Sequence, residues 1–379
     1  MDLQRPALQA GEKIAVAMSG GVDSTVAALL LKEAGFKPVG VTLRFWVDPI
    51  AEKKAAAAGQ SPRSPASIDS ARETAAALGI PHHILDMQGA FYEQVVTTFI
   101  QEYRAGRTPN PCIACNKHLK FSHLLRQVQA MGINYLATGH YARIVYEPQN
   151  NLYRLLRAKD KAKEQSYMLY TLQQEQLKAL LFPLGGRLKS EVVALARRKG
   201  LKAAQNKESY EICFIPDHDY HSFLEREHPG VLTPGEIVST TGQKLGMHRG
   251  VAFYTVGQRK GLGLTARQPL YVVKIDPLRN TLIVGEEAET YSSYLWASEL
   301  SFVAGTPPAQ PLQIEVKIRY RAPQIPAVLH PPAGKQAKVV FNKKQKAVTP
   351  GQAVVFYRGE EVLGGGKIVS SEIDEKIGG

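Results

Sequence analysis

Residues 19–24, with the sequence Ser-Gly-Gly-Val-Asp-Ser, lie between a short apolar run and a segment with helical spacing. The run before them, residues 13–18, is brief and β-rich, which is typical of a buried strand. Apolar residues then recur at helical spacing from Val26 to Leu30, and Gly35 is a natural stop. The glycines are therefore predicted at a strand-to-helix turn, where unpaired backbone N–H groups and the positive end of the helix dipole favour an anion. This pattern predicts a phosphate-binding turn.

The turn differs from the phosphate loop of kinases, in which a lysine after the glycines reaches the terminal phosphates. No lysine follows the glycines here. The sequence resembles instead the PP-loop of the ATP pyrophosphatases, which hold the β- and γ-phosphates together while a nucleophile attacks the α-phosphate. That resemblance implies pyrophosphate contacts from Ser19, Gly21, Ser24 and Thr25, and Mg²⁺ binding by Asp23. The alternative is an ordinary glycine-rich turn in which Asp23 only stabilises the helix, by about 0.3–1 kcal/mol.

The pattern of elements divides the chain into two regions. Before residue 217, strand and helix patterns alternate, with strands predicted at 38–43, 81–86 and 135–138, helices at 68–78 and 189–199, a hairpin through 150–151 and a flexible excursion at 48–67. Such alternation favours a parallel sheet with ligands at the carboxyl ends of its strands. After residue 217, short β-rich runs separated by Gly and Pro take over, at 253–256, 270–275, 281–284, 314–318, 337–341 and 353–357.

We therefore expect an α/β fold with three domains. They are a PP-loop catalytic domain with a parallel sheet at residues 1–216, a small central β-rich domain at 217–285 and a C-terminal β-barrel at 286–379.

Charge and composition narrow the class of partner. The 47 Lys and Arg residues exceed the 34 Asp and Glu residues, a formal net charge of +13. Such a chain attracts a polyanion through counterion release, although a basic surface without a nucleic-acid partner is the alternative. The sequence has no run of eighteen apolar residues and no apolar signal core after Met1. We therefore expect no membrane partner and a cytoplasmic location.

The three cysteines, Cys112, Cys115 and Cys213, are too few for a secreted disulfide framework and are expected to serve chemistry. Two prolines are expected to prevent helix until Cys112, and apolar spacing predicts a helix soon after. Cys115 is thus expected near a helix N-terminus beside Lys117, where the dipole and a cation favour the thiolate.

Several motifs together resemble the tRNA-specific 2-thiouridylase family, whose members place sulfur on the wobble uridine of certain tRNAs. They follow one another along essentially the whole chain, at residues 19–24, 109–117, 137–141, 163–167, 211–214, 255–262, 319–321 and 349–352. The resemblance implies ATP-dependent adenylation at C2 of uridine 34, then sulfur transfer, giving 2-thiouridine, AMP and diphosphate. It implies ATP and Mg²⁺ as cofactors, and as partners the anticodon loop of tRNA and a sulfur-donor protein that relays a persulfide.

The same resemblance implies a role for each matching residue. Cys213 would carry the persulfide, and Cys115 would be the nucleophile that releases the sulfur through a transient Cys115–Cys213 disulfide. The implied ATP-binding residues are Ala17, Met18, Ser19, Gly20, Gly21, Val22, Asp23, Ser24, Leu43 and Gly139. The implied target-base contacts are Asn110, Pro111 and Cys112. The implied tRNA-binding residues are His140, Lys163, Glu164, Gln165, Arg319, Tyr320 and Gln352.

Two positions depart from the family pattern, since aspartate is usual where this chain has Cys112 and Glu164. With Cys112 the chain offers three thiolates, enough to hold a metal or an iron–sulfur cluster with one position open. Thiolation through a cluster held by Cys112, Cys115 and Cys213 is therefore an alternative mechanism. A closed zinc site would need a fourth ligand, and none is evident.

Two other functions are weighed against thiolation. A PP-loop ligase or amidotransferase would leave the β-rich tail and the basic charge unexplained. A non-enzymatic tRNA-binding or redox-sensing module would leave the pyrophosphate cradle unexplained.

Overall fold

The computed structural model describes residues 8–57, 65–205 and 212–377. The strands of these residues form a five-stranded, a four-stranded and an eight-stranded sheet. Among the helices in this part of the chain, none combines the length and the apolar character needed to cross a bilayer.

The five-stranded sheet is parallel throughout. Its strands are β1 (Lys13–Ala17), β2 (Lys37–Arg44), β3 (His82–Asp86), β4 (Tyr135–Ala137) and β7 (Leu180–Leu181), in the spatial order β3-β2-β1-β4-β7. The strand order reverses between β1 and β4, and a parallel sheet leaves a ligand-binding crevice at the carboxyl ends beside such a reversal. Ser19 follows β1 and Gly139 follows β4, so both lie at this crevice.

Helices connect these strands and extend the region beyond them. The α-helices are α1 (Val22–Glu33), α2 (Pro49–Ala57), α3 (Pro65–Leu78), α4 (Gln88–Phe91), α5 (Thr97–Arg104), α6 (Pro111–Ala114), α7 (Leu125–Ala130), α8 (Gln174–Ala179), α9 (Lys189–Arg198), α10 (Tyr220–Glu227) and α11 (Glu372–Ile377). Two π-helical turns, Tyr92–Val96 and Cys115–Leu124, join α4 to α5 and α6 to α7 into continuous helical runs. Short 3₁₀ turns are Ser166–Met168, Lys202–Gln205, Pro229–Val231, Val251–Phe253 and Glu287–Thr290.

The excursion predicted at 48–67 is wrong where the structure describes it, because α2 and the start of α3 are helical. Alanine, lysine and glutamate in α2 are strong helix formers, and Ala51 is fully buried. Residues 58–64 lie outside the described part of the chain.

The remaining strands form the two other sheets. They are β5 (Ala142–Glu147), β6 (Leu152–Arg157), β8 (Gly235–Ser239), β9 (Lys244–His248), β10 (Tyr271–Asp276), β11 (Thr281–Gly285), β12 (Tyr291–Phe302), β13 (Leu312–Lys317), β14 (Ile325–Leu329), β15 (Ala337–Lys346), β16 (Ala353–Arg358) and β17 (Glu361–Ser371). The central sheet has the order β10-β11-β8-β9. In the last sheet β12 pairs with both β15 and β17, which closes a six-stranded antiparallel barrel.

The predicted fold class is confirmed, although several local predictions differ from the structure. The predicted hairpin is β5–β6, whose strand β6 pairs with β17 and so attaches to the barrel. The strand predicted at 253–256 is wrong, because Phe253 ends a 3₁₀ turn, and Tyr254 and Val256 are buried after it without pairing in a ladder. Helix α10 also interrupts the region predicted to be all β. The domain boundaries at 216 and 285 stay a prediction.

Candidate active site

The loop after β1 is held in shape by its own hydroxyl and backbone groups. Ser24 Oγ accepts from Ser19 N (3.1 Å) and donates to Gly21 O (3.1 Å), and Ser19 Oγ lies 3.3 Å from Ser24 Oγ. Gly20 has φ +74°, and a Cβ there would meet Ser67 O at 2.5 Å. Gly21 caps α1 without a side-chain bond, so the first amides of α1 keep free donors for an anion.

Not every residue of the loop offers its side chain to a ligand. Thr25 is fully buried, and its hydroxyl donates to Gly21 O (3.0 Å), so its predicted pyrophosphate contact is unavailable in this structure. Met18 and Val22 are also buried, and Met18 N donates to Val41 O (2.8 Å). Leu43 lies in β2 and is half-buried against the core. Ala17, Met18 and Val22 therefore shape the loop mainly through backbone and packing.

Gly139 brings the end of β4 against the first turn of α1. A Cβ at this position would lie 2.8 Å from Asp23 C, 2.8 Å from Ser24 N and 3.0 Å from Asp23 Cβ. Because real Cβ atoms do not approach backbone atoms so closely, only glycine fits here without a shift. The close approach defines one wall of the crevice.

Asp23 is bound by two side chains from distant parts of the sequence. Lys189 Nζ lies 2.7 Å from Asp23 Oδ1 and 2.8 Å from Oδ2, and Tyr141 Oη donates to Oδ1 (2.8 Å). The carboxylate is about one-third exposed. One carboxylate together with substrate phosphates is a ligand set that Mg²⁺ uses in proteins, so Asp23 fits the predicted role.

The helical run that carries Cys112 and Cys115 begins one residue earlier than predicted. Pro111 occupies the first turn, where its missing N–H costs nothing, and Asn110 Oδ1 accepts from Cys112 N (3.1 Å) as the N-cap. Asn116 is buried and donates to Met168 O (3.0 Å), and Asn110 Nδ2 lies 3.5 Å from Met168 Sδ. These bonds fix the predicted base-binding residues beside the Ser166–Met168 turn.

The expected thiolate-favouring setting of Cys115 is wrong in this structure. Cys115 is buried, and burial raises its pKa to about 11, although the Lys120 ammonium opposes the shift and Cys112 adds to it. The π-helical turn that begins at Cys115 places it a full turn inside the helical run, not at its first amides. Burial therefore outweighs the cation, and the relevant cation is Lys120 in place of Lys117.

The segment around Cys213 packs into the apolar cluster that contains Cys115. Phe214 and Ile215 are buried in this cluster together with Phe99 and Phe223. Asp48 N donates to Phe214 O (3.1 Å), and the Asp48 carboxylate is paired with Arg226 of α10. Cys213 itself is exposed, as is Cys112, and all three cysteines are thiols in this structure. Glu211 of the same motif lies outside the described residues.

The cysteines do not form a metal-binding group. All three lie in the described ranges, and within those ranges no three His, Cys, Asp or Glu side chains are gathered closely enough to hold a metal ion. This geometry does not favour the iron–sulfur alternative.

His140 and Gln165 lie beside the crevice and hydrogen-bond to residues at the end of β4. His140 Nδ1 lies 2.7 Å from Thr138 Oγ1, and burial together with Lys120 lowers the pKa of His140 well below its ordinary value. Gln165 Oε1 accepts from Tyr141 N (2.9 Å), the residue whose hydroxyl binds Asp23. Lys163 is half-buried in the same loop.

Glu164 is buried, with 4% exposure, and its carboxylate is not available to an RNA in this structure. Its Oε1 accepts from Ser166 N, while Oε2 has no hydrogen bond and lies 3.7 Å from Arg157 Nε and 3.9 Å from Lys317 Nζ. Arg157 lies on the β5–β6 hairpin and Lys317 on β13 of the barrel, so this ionic cluster joins the barrel to the loop 163–165.

One of the predicted barrel residues, Gln352, contacts the segment that leads to Asn110. Gln352 Nε2 donates to Thr108 O (2.8 Å), and Thr108 N donates to Pro350 O (2.9 Å). Arg319 is exposed and donates to the carbonyls of Lys346 and Ala347, while Tyr320 lies 6.0 Å from Tyr167 between ring centroids. The barrel thus contacts the backbone beside the candidate base-binding residues.

Comparisons with known proteins give matches over nearly the whole chain. Family models described as "tRNA methyl transferase HUP domain", "tRNA methyl transferase PRC-barrel domain" and "Aminomethyltransferase beta-barrel domain" match residues 12–217, 221–286 and 292–368. The tRNA-specific 2-thiouridylase MnmA 1 of Caldanaerobacter subterraneus subsp. tengcongensis is 46% identical over 95% of this chain and 99% of its own length. The tRNA-specific 2-thiouridylase MnmA of Carboxydothermus hydrogenoformans is 46% identical over 94% of this chain and 97% of its own length.

The chain belongs to the tRNA-specific 2-thiouridylase family.

Sequence reasoning missed four residues of this family member's candidate site. Lys189 and Tyr141 bind Asp23. The Lys120 ammonium opposes the rise in the pKa of Cys115 that burial causes, and it adds to the fall in the pKa of His140 that burial causes. Thr108 contacts the barrel and also lies 3.1 Å, Oγ1 to Oγ1, from Thr255 of the central region. Tyr141 belongs to the motif at residues 137–141, but the motif alone does not indicate its role. The other three are ordinary lysine and threonine residues in the sequence, and only the fold brings them to the site.

Proposed function

We propose that this member of the family is an ATP-dependent tRNA-uridine 2-sulfurtransferase. It transfers AMP from ATP to the C2 oxygen of uridine 34 and replaces that oxygen with sulfur from a protein-bound persulfide. The C2 carbonyl of uridine is a poor electrophile without a leaving group, and the AMP ester supplies one. The proposal is supported by relatives of that printed name at 46% identity over nearly the whole chain.

One observation carries the proposal beyond similarity. The π-helical segment that begins at Cys115 also carries Phe121, whose ring centroid lies 5.6 Å from that of His140. His140 follows Gly139, which packs on the first turn of α1 at Asp23. A thiol and a phosphate-binding loop therefore line one region, as a reaction that needs both groups requires.

In the adenylation step, this chain binds and orients ATP. The amides at the start of α1 and the Ser19 and Ser24 hydroxyls hold the β- and γ-phosphates, and Asp23 would hold Mg²⁺, which supplies charge neutralisation when bound. Leu43 and Gly139 flank the adenosine. Asn110, Pro111 and Cys112 contact the target base, and the uridine oxygen attacks the α-phosphorus as pyrophosphate leaves with the bonding electron pair.

In the sulfur-transfer step, the exposed Cys213 receives a sulfur atom from a donor protein as a persulfide. The outer sulfur attacks C2, and AMP leaves with the electron pair. The Cys115 thiolate then attacks Sγ of Cys213, which breaks the bond to the transferred sulfur and forms the Cys115–Cys213 disulfide. An external thiol reductant restores both thiols. Because burial raises the pKa of Cys115 to about 11, its proton must be removed before this attack.

We assign the tRNA contacts to the overall positive charge of the chain and to six individual residues. The net charge of +13 suits a polyanion. The six residues are His140, Lys163, Gln165, Arg319, Tyr320 and Gln352, and the contact of Gln352 with Thr108 O beside the base-binding segment supports the assignment. The buried Glu164 would act by positioning Lys163 and Gln165. The wobble uridine is unpaired, so its extrusion costs at most a few kcal/mol. We place the reaction in the cytoplasm, where this substrate occurs.

The test is the nucleotide product formed with and without substrate tRNA. We expect tRNA-dependent formation of AMP and diphosphate, whereas ADP and orthophosphate would overturn the proposal. Cys213→Ser should keep tRNA binding and tRNA-dependent ATP–pyrophosphate exchange but form no 2-thiouridine. Normal thiouridine formation by Cys213→Ser would refute the persulfide relay while leaving adenylation in place.

A further inference from the structure

A lysine from a distant helix lies on the carboxylate of the phosphate-binding loop. Lys189 is the first residue of α9, 166 positions after Asp23, and its Nζ contacts both carboxylate oxygens at 2.7 and 2.8 Å. Its side chain is only 13% exposed. The pair therefore lies at the first turn of α1, where the terminal phosphates of ATP would bind.

Lys189 is held in this position by several bonds. Its backbone N–H donates to Asp160 Oδ2 (2.8 Å), and Glu191 Oε2 accepts from Leu188 N (2.9 Å) to fix the start of α9. The ammonium also lies 5.9 Å from the centre of the Tyr141 ring, and Tyr141 binds the same carboxylate. A long lysine side chain that is fixed in advance loses less conformational entropy when it binds an anion.

The charge of the reactant makes such a lysine chemically useful. The loop lacks the lysine that a kinase-type phosphate loop carries, and the backbone amides alone provide partial charges. When the uridine oxygen attacks the α-phosphorus, the bond between that phosphorus and the α,β-bridging oxygen breaks, and its electron pair adds negative charge to the departing pyrophosphate. A fixed cation stabilises that developing charge without giving up its proton.

We propose that Lys189 is the cation of this loop: it binds the β- and γ-phosphate oxygens of ATP and stabilises departing pyrophosphate. Asp23 holds the ammonium at the site and becomes available for Mg²⁺ when the phosphates take the ammonium over. The proposal rests on the proposed function, since it assigns a residue to the same ATP-cleaving site.

The test measures binding of sodium pyrophosphate and of AMP by calorimetry, in EDTA and without tRNA. Lys189→Met should weaken pyrophosphate binding by about 10- to 100-fold, the range expected for a lost charge-assisted hydrogen bond, and leave AMP binding unchanged. Lys189→Arg should retain most of the pyrophosphate affinity. The matched control is Lys199→Met, because Lys199 pairs α9 with Glu33 at the opposite end of α1 (2.8 Å) and should not affect either ligand.

A second comparison distinguishes direct binding of phosphate by Lys189 from an indirect effect of Lys189 through Asp23. Asp23→Asn removes the carboxylate, and the double variant Asp23→Asn/Lys189→Met then removes the lysine in that background. We expect the double variant to bind pyrophosphate at least about 10-fold more weakly than Asp23→Asn alone. Equal affinities would overturn the proposal, as would an equal loss of AMP and pyrophosphate binding in Lys189→Met. Failure of the proposed function looks different, since the wild-type protein itself would then form no AMP with tRNA.

Discussion

Replacing Gly139 by alanine should both destabilise the parallel-sheet region and weaken ATP binding. The new Cβ would lie 2.8 Å from Asp23 C and from Ser24 N, well inside the ordinary contact distance of about 3.5–4.0 Å. Both atoms belong to the backbone of the first turn of α1, so neither can rotate away as a side-chain tip could. Relief requires α1 and the end of β4 to move apart.

The expected cost is that of overpacking a close contact, about 1–3 kcal/mol in the free energy of unfolding. For a region of about 200 residues this corresponds to a fall of about 2–4 °C in Tm for each kcal/mol. Since the amides that face the phosphates belong to the displaced turn, we also expect ATP affinity to fall by at least about 10-fold.

The assays are thermal unfolding followed by circular dichroism and calorimetric titration with ATP. Gly186→Ala is the control, because a Cβ at Gly186 meets nothing within 4 Å and its φ is not in the left-handed region. That variant should change stability by less than about 1 kcal/mol. If Gly139→Ala matches Gly186→Ala in Tm and in ATP affinity, close packing is not the reason for glycine at this strand end.

Further predictions concern charge, thiols and salt. Glu164→Gln should lower the free energy of unfolding by about 3–5 kcal/mol, measured as a fall in Tm, because it leaves Arg157 and Lys317 without their buried counter-charge; an unchanged Tm would contradict a charged cluster. Iodoacetamide at pH 8 should alkylate the exposed Cys213 before Cys115, and the rate at Cys115 should rise as pH approaches 11. Because burial raises the pKa of Cys115 from its unfolded value of about 8.5 to about 11, the buried thiol stabilises the fold below about pH 8.5, and this contribution is lost between there and about pH 11. Equal alkylation of both thiols at pH 7 would contradict the raised pKa. Anaerobically purified protein should contain substoichiometric iron and acid-labile sulfide, and one cluster per chain would restore the iron–sulfur alternative. Affinity for tRNA should fall by about 10³–10⁵-fold from 50 to 200 mM salt if 6–10 phosphates are contacted, and a flat response would contradict the electrostatic argument.

Local pattern was sufficient for most of the parallel region. A brief apolar strand, two glycines and a helical stripe predicted β1, the loop and α1, because each depends on neighbours in sequence. The same reasoning fails where the tertiary surroundings of a segment decide its secondary structure. Residues 253–256 have strand-like composition, yet within the described part of the chain no strand pairs with them, and Phe253, Tyr254 and Val256 pack into an apolar core cluster.

Cys115 illustrates the limit for chemistry. The prolines and the apolar spacing correctly indicated a helix start near Cys115, and the helix dipole together with Lys117 suggested a low thiol pKa. Burial depends on tertiary packing, and Cys115 shares its apolar cluster with Phe99, Phe214 and Phe223 from separate segments. It raises the pKa by more than the nearby lysine lowers it, and no local pattern contains that balance.

The sequence by itself determined the phosphate-binding loop, the three-part order of α/β and β-rich regions and the family to which the chain is similar. The tertiary structure alone decided which distant residues share the site: Lys189 lies on Asp23, and Thr108 lies against the barrel. Turns and the succession of strands and helices along the chain are set by short-range sterics and periodicity, which the sequence carries directly. Contacts between residues more than a hundred positions apart depend on how completed elements pack, and packing has no local signal.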